Sequence, residues 1–481
     1  LAAALAATVL WLVPPRMRMQ FDETSLVGSS QTMHEERAAL LTAGAVPHRG
    51  ELVRLEKTVD KRPPLFPFLV SLVHDVSGER PANAFVLNGA LLATALLLAF
   101  AAARSFGGPV AGVAAFAAPL LLLSVGLTGV VATSAGSELL AGVLLFASVL
   151  AAIDFVRAAD PVRWSALLGL TLLLAAARQE SLFAGGLVLA LAAWLARGRW
   201  RMDRAAFWLT VLAPTLLAPL GMLLLRAQDP NFYPEAAGRP PLHWSHLFAH
   251  TGPFLELAFL DLRGTLSGVL GLVAAAAWAE RLAHRRATRL DLLAVVPVLA
   301  VTVLTLAWFF SDVGAEPGAR RLFLPFCWLA ALSPLLLVRG PRTAWTILLL
   351  ATGLAALRVH DLRSGRAHPT HPIAAVTAAL DRLAPQLALE PRTALWVGTP
   401  AQYLIVRGHA ALCARSFAIR QAEVRQLAAQ GDVRTIFVLE TPLDAAFAPA
   451  FGDPRELLRL RPNEVLLRDP ENGITVHRLR P

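Results

Sequence analysis

Apolar segments of roughly 15–22 residues recur along the first three quarters of the chain, separated by short polar connections. That length is close to what an α-helix needs to cross a hydrocarbon core of about 30 Å. Only 13 apolar residues precede Pro14, and the chain begins at Leu1, so we expect the first helix to be incomplete. The pattern predicts an α-helical polytopic membrane protein. About eleven membrane-spanning helices are predicted, at residues 1–13, 82–103, 109–127, 139–156, 164–177, 181–195, 205–225, 266–279, 292–310, 322–338 and 343–359.

A charged loop at residues 16–64 interrupts this pattern after the first apolar segment. It carries Phe21-Asp22-Glu23 near its start and Lys61-Arg62-Pro63-Pro64 near its end. Between them, residues 32–41 have the pattern of an amphipathic surface helix. Two adjacent carboxylates directly after a membrane-spanning helix are hard to explain if the loop only connects two helices. We therefore interpret the loop as half of an active site held against the membrane surface.

The last 121 residues, 361–481, have a different pattern of short apolar runs and polar residues. We predict strands at 394–397, 435–439, 465–467 and 474–476, with amphipathic helices at 373–387 and 419–430. Alternating strands and helices predict a small soluble α/β domain. The predicted domains are a membrane catalytic domain at 1–360, which includes the loop, and this C-terminal domain. The latter either binds or shields something, or only stabilises the membrane part.

Composition and charge support a membrane location. The chain is 56% apolar and 16% charged, with a mean hydropathy of +0.55, which excludes an ordinary soluble domain. The net charge of +10 comes from arginines in short connections on one side of the predicted helices, whereas the opposite loops have mixed charge. This is the positive-inside pattern and not a nucleic-acid footprint. It predicts a multi-pass protein with the early loop and the C-terminal domain outside the cytoplasm. Arginine outnumbers lysine 42 to 2, which indicates a GC-rich bacterial genome and so the bacterial cytoplasmic (inner) membrane.

Two groups of carboxylates are candidate catalytic residues. Asp22 and Glu23 follow the first predicted helix, where a carboxylate can act as a general base toward a hydroxyl. Glu138 begins a later predicted helix after Ser137, and is interpreted as a second carboxylate facing Asp22. The simpler alternatives are a solvated loop start for the pair and an acidic helix N-terminus capped by Ser137 for Glu138.

Cations occur at the same predicted membrane face. Arg178 and Glu180 lie between two short apolar segments, and, being two residues apart, they cannot face each other on a helix, so each needs another partner. Lys61 and Arg62 precede a stiff proline pair. The alternatives are an incidental turn for the first pair and general attraction to lipid head groups for the second. Residues 318–325 repeat this arrangement and carry Arg320 and Arg321.

Metal ligands are not evident in the sequence. No histidine pair has convincing metal-ligand spacing, and no Asp-x-Asp motif occurs anywhere in the chain. His34 is kept as a supporting residue of the site. Cys327 and Cys413 do not form a disulfide framework, because one lies in a predicted helix and the other in the C-terminal domain.

The order and common sidedness of these motifs resemble the GT-C superfamily of membrane glycosyltransferases. The similarity is greatest to the branch with protein O-mannosyltransferases and the lipid A aminoarabinose transferase. It covers most of residues 1–360. The chain departs from the family pattern in Thr24 after the carboxylate pair and Leu322 after Arg321, where the family often has aromatic residues. The matching pieces are Asp22-Glu23, residues 61–67, Ser137-Glu138, residues 178–180 and residues 320–325.

The resemblance implies transfer of a sugar from a polyprenyl-phosphate carrier to a lipid, protein or glycan acceptor, with inversion. Asp22 would be the base that deprotonates the acceptor, with Glu23 as the other candidate. Glu138 would shape the acceptor site, and Glu180 would support it. A divalent cation helps some members; the lack of Asp-x-Asp argues against an obligatory one. The donor phosphate would be held by cations: Lys61, Arg62, Arg178, Arg320 and Arg321.

Three other functions fit part of the pattern. A transporter or channel would place charges near the bilayer midplane and often shows repeats, whereas these charges cluster toward one face. A polymerase or ligase of lipid-linked glycans would share the location and the cations. A catalytically inactive relative would have lost the base, and Asp22 is present.

Overall fold

The structure is a computed structural model. It describes residues 2–18, 22–60, 62–106, 111–199, 242–260, 268–284, 286, 288–308, 313, 317–363, 380–382, 385, 393–471 and 473–479. The chain divides into two compact units. The helical unit comprises Leu1–Pro15, Lys61–Phe66 and Phe85–Pro369, and the α/β unit comprises Arg16–Asp60, Pro67–Ala84 and Thr370–Pro481.

Helices dominate the described chain up to residue 363, and two strands interrupt them near the start. Short π and 3₁₀ turns occur at Glu256–Leu260, Pro317–Phe323 and Ser333–Leu337. The elements in chain order are α1 (Ala2–Leu12), α2 (Asp22–Glu36), β1 (Leu41–His48), β2 (Glu51–Thr58), α3 (Leu65–Ser77), α4 (Asn83–Phe106), α5 (Ala111–Leu123), α6 (Gly126–Ala132), α7 (Glu138–Arg157), α8 (Pro161–Ala177), α9 (Ser181–Ala196), α10 (Trp244–Leu255), α11 (Gly268–Ala283), α12 (Asp291–Leu306), α13 (Leu324–Leu332) and α14 (Pro341–Arg363).

The C-terminal part of the described chain alternates strands with short helices. They are β3 (Ala394–Val397), α15 (Ala401–Val406), β4 (Ala410–Leu412), α16 (Ala414–Ile419), α17 (Gln421–Ala429), β5 (Thr435–Glu440), α18 (Asp444–Phe451), α19 (Pro454–Leu460), β6 (Asn463–Asp469) and β7 (Ile474–Leu479).

The predicted apolar segments coincide with helices wherever the structure describes them. The predicted segment at 205–225 lies outside the described residues. Within the described residues, three helices are long and apolar enough to cross a membrane, at Asn83–Ser105, Glu138–Arg157 and Gly318–Leu337. A fourth span results if the bent pair Gly112–Leu123 and Gly126–Ala132 is counted as one. The mostly helical architecture is confirmed, and the number of eleven spans stays a prediction.

Local sequence signals explain where helices begin, end and bend. Pro161 occupies the first turn of α8, and the carboxylate of Asp160 caps it by accepting a hydrogen bond from the Arg163 backbone N–H at 3.0 Å. The axes of α5 and α6 differ by 70° across residues 124–125. Ser124 donates its hydroxyl proton to the Leu121 carbonyl at 2.6 Å in this break, and such local hydrogen bonds compete with the helix ladder.

The core of the helical unit is formed by small and branched apolar residues and a few aromatic rings. Trp328 of α13 is one of these rings, and its indole N–H donates to the Thr128 hydroxyl of α6 at 3.0 Å. Gly142 of α7 lies against the same ring, so that α7 and α13 approach closely. Small residues allow such close contacts between membrane helices.

The α/β unit contains a five-stranded sheet of order β4-β3-β5-β7-β6. The strands β4, β3 and β5 are parallel, whereas β7 pairs antiparallel with both β5 and β6. The four predicted strands are present, and the predicted small α/β architecture is confirmed. Strand β4 was not predicted because three small apolar residues are too short a run to stand out. The predicted helix at 373–387 lies largely outside the described residues, and that at 419–430 corresponds to α17.

Part of the early loop folds onto this sheet in the same unit. Strands β1 and β2 form an antiparallel hairpin whose two-residue turn, Arg49-Gly50, has φ values of 51° and 79°. Positive φ at both positions is typical of the type I′ turn. Val46 of β1 joins the core of the sheet, and Glu56 of β2 accepts a hydrogen bond from the Ser416 hydroxyl at 2.7 Å. The structure thus groups this loop with the C-terminal strands, whereas the sequence grouped it with the membrane part.

Helix α2 corrects the prediction of a surface helix at residues 32–41. It spans Asp22–Glu36 and is buried over most of its length, and residue 41 begins a strand. Its polar side chains bond to neighbours inside the α/β unit: the Ser25 hydroxyl donates to Gln402 at 3.3 Å, and the Gln31 amide donates to the Val406 carbonyl at 3.1 Å. A polar sequence can therefore form a buried helix where side chains such as Ser25 and Gln31 find hydrogen-bond partners.

We predict that Gly142→Leu destabilises the protein by about 1–3 kcal/mol, the usual effect of overpacking. A Cβ at residue 142 would lie 3.1 Å from the Trp328 ring and 3.2 Å from Leu324, so the larger side chain forces α7 and α13 apart. The measurement is the melting temperature of the purified protein in detergent.

Gly169→Leu in α8 is the matched control. A Cβ there meets nothing within 4 Å, while the gain in helix propensity is the same. We expect its melting temperature to equal or exceed that of the wild type. Equal losses for the two variants would contradict the close packing of α7 against α13.

Candidate active site

Three charged residues converge at one end of the helical unit. Glu138 is the first residue of α7, and Arg178 lies in the turn between α8 and α9. Arg321 lies in the 3₁₀ turn that precedes α13. Because α7 and α9 begin, and α8 ends, at this end of the bundle, the backbone brings the three side chains together. We call them the arginine–glutamate cluster.

The geometry of the cluster is that of two guanidinium groups on one carboxylate. Oε1 of Glu138 lies 2.8 Å from Nη1 of Arg178 and 3.2 Å from Nη1 of Arg321. Glu138 is 6% exposed, so this charge is held almost entirely inside the protein. A buried carboxylate needs such partners, because an unpaired buried charge is strongly unfavourable. The sequence analysis identified each of the three as a candidate site residue, and the structure shows that they form ion pairs with one another.

The arrangement of Arg178 and Glu180 corrects one prediction. Nε of Arg178 donates to Oε1 of Glu180 at 2.5 Å, although two residues that are two positions apart were expected to need other partners. That expectation assumed a helix. Arg178 instead has an extended backbone, with φ −153° and ψ 150°, which allows the two side chains to meet. Glu138 does lie at a helix N-terminus as the simpler alternative proposed, but the Ser137 side chain makes no capping hydrogen bond.

A small pocket opens beside the cluster within the helical unit. Its volume of about 20 Å³ is enough to hold a water molecule. It is lined by charged groups and by aliphatic groups of α7, α12 and α13. The lining residues are Glu138, Ala141, Leu145, Arg178, Glu180, Ser181, Val301, Arg321, Leu322, Leu324 and Pro325.

Of the other predicted cations, Arg62 and Arg320 do not line this pocket. Nε of Arg320 donates to the Val313 carbonyl at 3.3 Å. Arg62 is half-buried just before α3, whereas Lys61 lies outside the described residues. Of the five predicted phosphate-binding cations, the structure therefore brings together Arg178 and Arg321.

The predicted catalytic carboxylates Asp22 and Glu23 form the first turn of α2 in the α/β unit. Glu23 is 1% exposed, and its Oε2 accepts a hydrogen bond from the Arg18 backbone N–H at 3.0 Å. Asp22 is only half-buried. Phe21, which precedes the pair, lies outside the described residues. A base must reach its substrate, so the difference in burial favours Asp22 over Glu23.

His34 lies at the other end of α2, in a charged cluster of the α/β unit. Its Nδ1 lies 2.6 Å from Oδ1 of Asp75, which also accepts hydrogen bonds from Arg37. The Arg37 and His34 hydrogen bonds hold the pKa of Asp75 below its usual range. The ring of His74 lies 5.7 Å from that of His34, and burial, with the nearby His34 charge, lowers the pKa of His74 to about 4. These contacts give His34 a structural role in joining α2 to α3.

Asn88 of α4 is a residue that the sequence analysis missed. It is fully buried, and its amide donates to the Ser134 carbonyl at 2.7 Å and to the Gly136 carbonyl at 3.0 Å. Both carbonyls belong to the turn directly before Glu138. The available signal was an uncharged polar residue inside an apolar segment. Such residues are also common at helix contacts in membranes.

The described residues contain no group of three or more His, Cys, Asp or Glu side chains that could hold a metal ion.

Comparison with solved structures identifies the fold. ArnT from Cupriavidus metallidurans bound to undecaprenyl phosphate superposes with a TM-score of 0.63 at 14% identity, over 99% of this chain and 97% of that chain. Its apo form gives 0.61 at 16% identity, with the same coverage. The apo oligosaccharyltransferase of Archaeoglobus fulgidus gives 0.50 at 13% identity, over 96% of this chain and 72% of that one. The chain has the GT-C fold.

The resemblance predicted from the motifs is therefore confirmed at the level of fold. No protein-family model and no curated protein matches the chain. Within this GT-C fold, the arginine–glutamate cluster and the Asp22 helix are the two groups of candidate residues.

We predict that Glu138→Gln lowers the free energy of unfolding by about 3–5 kcal/mol, as for other broken buried ion pairs. The neutral amide leaves Arg178 and Arg321 facing each other without the charge that joins them. Thermal unfolding in detergent measures this effect. The matched control is Glu180→Gln, which removes a 26% exposed carboxylate from Arg178 alone and should cost about 1 kcal/mol or less. Equal effects would contradict a central role of Glu138.

We predict a pH dependence of stability from Glu35 of α2. Burial and a hydrogen bond with Glu79 raise the pKa of Glu35 to about 7, although Arg54 nearby opposes the shift. In the unfolded chain this carboxyl ionises near pH 4.5. Its contribution to stability is therefore full below that pH and is lost as the pH rises to about 7.

Melting temperatures between pH 4.5 and 7.5 test this prediction. Glu35→Gln should reduce the fall in melting temperature over this range, because the amide does not titrate. The exposed Glu51→Gln on the adjacent hairpin should behave like the wild type. An unchanged fall in Glu35→Gln would show that other groups cause it.

Proposed function

We propose that the chain is a membrane glycosyltransferase that takes a sugar from a polyprenyl-phosphate carrier. The observation that carries this proposal is the arginine–glutamate cluster beside a pocket of the helical unit, in a chain that has the GT-C fold. ArnT, which shares this fold, was solved with undecaprenyl phosphate bound. The acceptor is a lipid, a protein or a glycan.

Phosphate is the ligand chemistry that suits the cluster. Each guanidinium presents a planar fork of N–H donors that matches phosphate oxygens. Arg178 and Arg321 are held on one carboxylate and are pre-oriented before a ligand arrives. Such pre-organised cations stabilise negative charge where it develops in a transition state. We propose that these two arginines hold the donor phosphate, and that Lys61, Arg62 and Arg320 add positive charge.

The proposed reaction is an inverting displacement. The acceptor hydroxyl oxygen attacks the anomeric carbon while the bond from that carbon to the phosphate oxygen breaks. The hydroxyl proton passes to the carboxylate of Asp22, and polyprenyl phosphate leaves with the bonding electron pair. Asp22 is the proposed base because Glu23 is almost completely buried. Glu138 serves the reaction by holding the arginines, with Glu180 as a second partner of Arg178.

We further propose that the reaction takes place at the outer face of a bacterial cytoplasmic membrane. Support comes from the positive-inside distribution of arginines over about eleven predicted spans. The membrane domain at 1–360 would provide the catalytic groups, and the C-terminal domain at 361–481 would be extracytoplasmic.

We predict that Asp22→Asn abolishes turnover and leaves the donor unconsumed, because an amide accepts no proton. The measurement is mass spectrometry of lipid extracts from deletion cells that express either protein. The variant should accumulate a polyprenyl-phosphate sugar that the wild type consumes, and its mass identifies the sugar.

Glu464→Gln, an exposed carboxylate change in β6, is the matched control and should consume the donor like the wild type. Identical lipid profiles for the wild type, Asp22→Asn and the empty strain would contradict the proposal. Transport or a non-catalytic role in the envelope would then explain the chain better.

A further inference from the structure

We propose that Gly136 and Asn88 are positioning residues that act on the donor phosphate through Glu138. This inference rests on the proposed function and extends it to two residues that do not line the pocket. Both act on the turn of residues 133–137, which connects α6 to α7 and is buried throughout. The conformation of this turn positions the carboxylate of Glu138. The carboxylate in turn positions the guanidinium groups of Arg178 and Arg321 through its ion pairs.

Because Gly136 has no side chain, the carboxylate of Glu138 can lie directly against it. A Cβ at this position would overlap Oε2 of Glu138 and lie 3.1 Å from its Cδ and 3.5 Å from Oε1. These are the three nearest atoms, so the space next to Gly136 is occupied by this one carboxylate. The backbone gives no other reason for glycine, because Gly136 is not among the positive-φ glycines. The side chain of Glu138 folds back over the turn, and any side chain at residue 136 would displace it.

Asn88 holds the turn from the other side. Its amide donates to the carbonyls of Ser134 and Gly136, the residues that flank Ala135. A buried carbonyl that loses its donor is destabilising, so this amide stabilises one conformation of the turn. Asn88 comes from α4, which makes the position of Glu138 depend on a contact between helices rather than on the turn alone.

The consequence of a displaced carboxylate follows from the ion pairs. Glutamate is flexible and can move away from a new methyl group, but it then leaves Arg178 and Arg321, which lie within 3.2 Å of its Oε1. The two guanidinium groups would separate by mutual repulsion. A phosphate that needs both would bind more weakly. This effect requires Glu138, and it disappears when Glu138 has no carboxylate.

A double-mutant cycle between Gly136→Ala and Glu138→Ala tests the proposal on the full chain in detergent. The probe is undecaprenyl phosphate, and its affinity is measured by native mass spectrometry together with the melting temperature of each protein. Gly136→Ala should weaken binding about tenfold in the wild type, and should have no further effect in Glu138→Ala, since contacting residues couple by this order of magnitude. Asn88→Asp should follow the same pattern. Gly169→Ala, with nothing near its Cβ, should bind like the wild type.

The outcomes test two claims separately: the positioning role of Gly136 and the identity of the donor. Equal losses from Gly136→Ala in both backgrounds, or no loss in the wild type, would overturn the positioning role, because a merely structural glycine does not sense the carboxylate. If the wild type itself fails to bind undecaprenyl phosphate, the proposed donor is wrong. The positioning role is then tested by melting temperatures alone: Gly136→Ala should lower the melting temperature of the wild type but not that of Glu138→Ala. If Glu138→Ala does not fold, Glu138→Asp replaces it, because its shorter side chain withdraws the carboxylate from Gly136.

Discussion

Two guanidinium groups share one buried carboxylate, and the candidate chemistry of the helical unit depends on this interaction. Arg178 and Arg321 come from segments about 140 residues apart, and Oε1 of Glu138 lies within 3.2 Å of both. Buried charges are tolerated only with such partners, so the ends of α7, α8 and α9 and the turn before α13 are constrained together. The same constraint leaves two cations pre-oriented at a pocket, which is what recognition of a phosphate requires.

Much of the fold could be predicted from the sequence because membrane helices and strands have strong patterns. Apolar length located most helices of the helical unit among the described residues, though not α10, and short β-branched runs located β5 and β7. The hairpin β1–β2 and the buried helix α2 were missed for a physical reason. The sequence of α2 is polar, and its burial depends on hydrogen bonds to distant partners such as Gln402 and Val406. The hairpin is held by packing against distant strands, through residues such as Val46. The local pattern of polar and apolar residues does not indicate such distant partners.

The site shows the same division between local and long-range information. Residue type and sidedness singled out Glu138, Arg178 and Arg321, since charges near hydrocarbon are costly and rarely incidental. The sequence could not show that Glu138 joins the two arginines, because that depends on the packing of four helix ends. Asn88 and Gly136 were missed because an amide and a glycine carry no charge. Their importance appears only where the amide meets two carbonyls and the glycine faces a carboxylate.

The most direct test of the proposed function is an experimental structure of the protein with undecaprenyl phosphate. We predict that the phosphate lies within hydrogen-bond distance of both Arg178 and Arg321, while Glu138 still contacts the two guanidinium groups. A phosphate bound elsewhere on the protein, with both arginines directed only to Glu138 and Glu180, would contradict it.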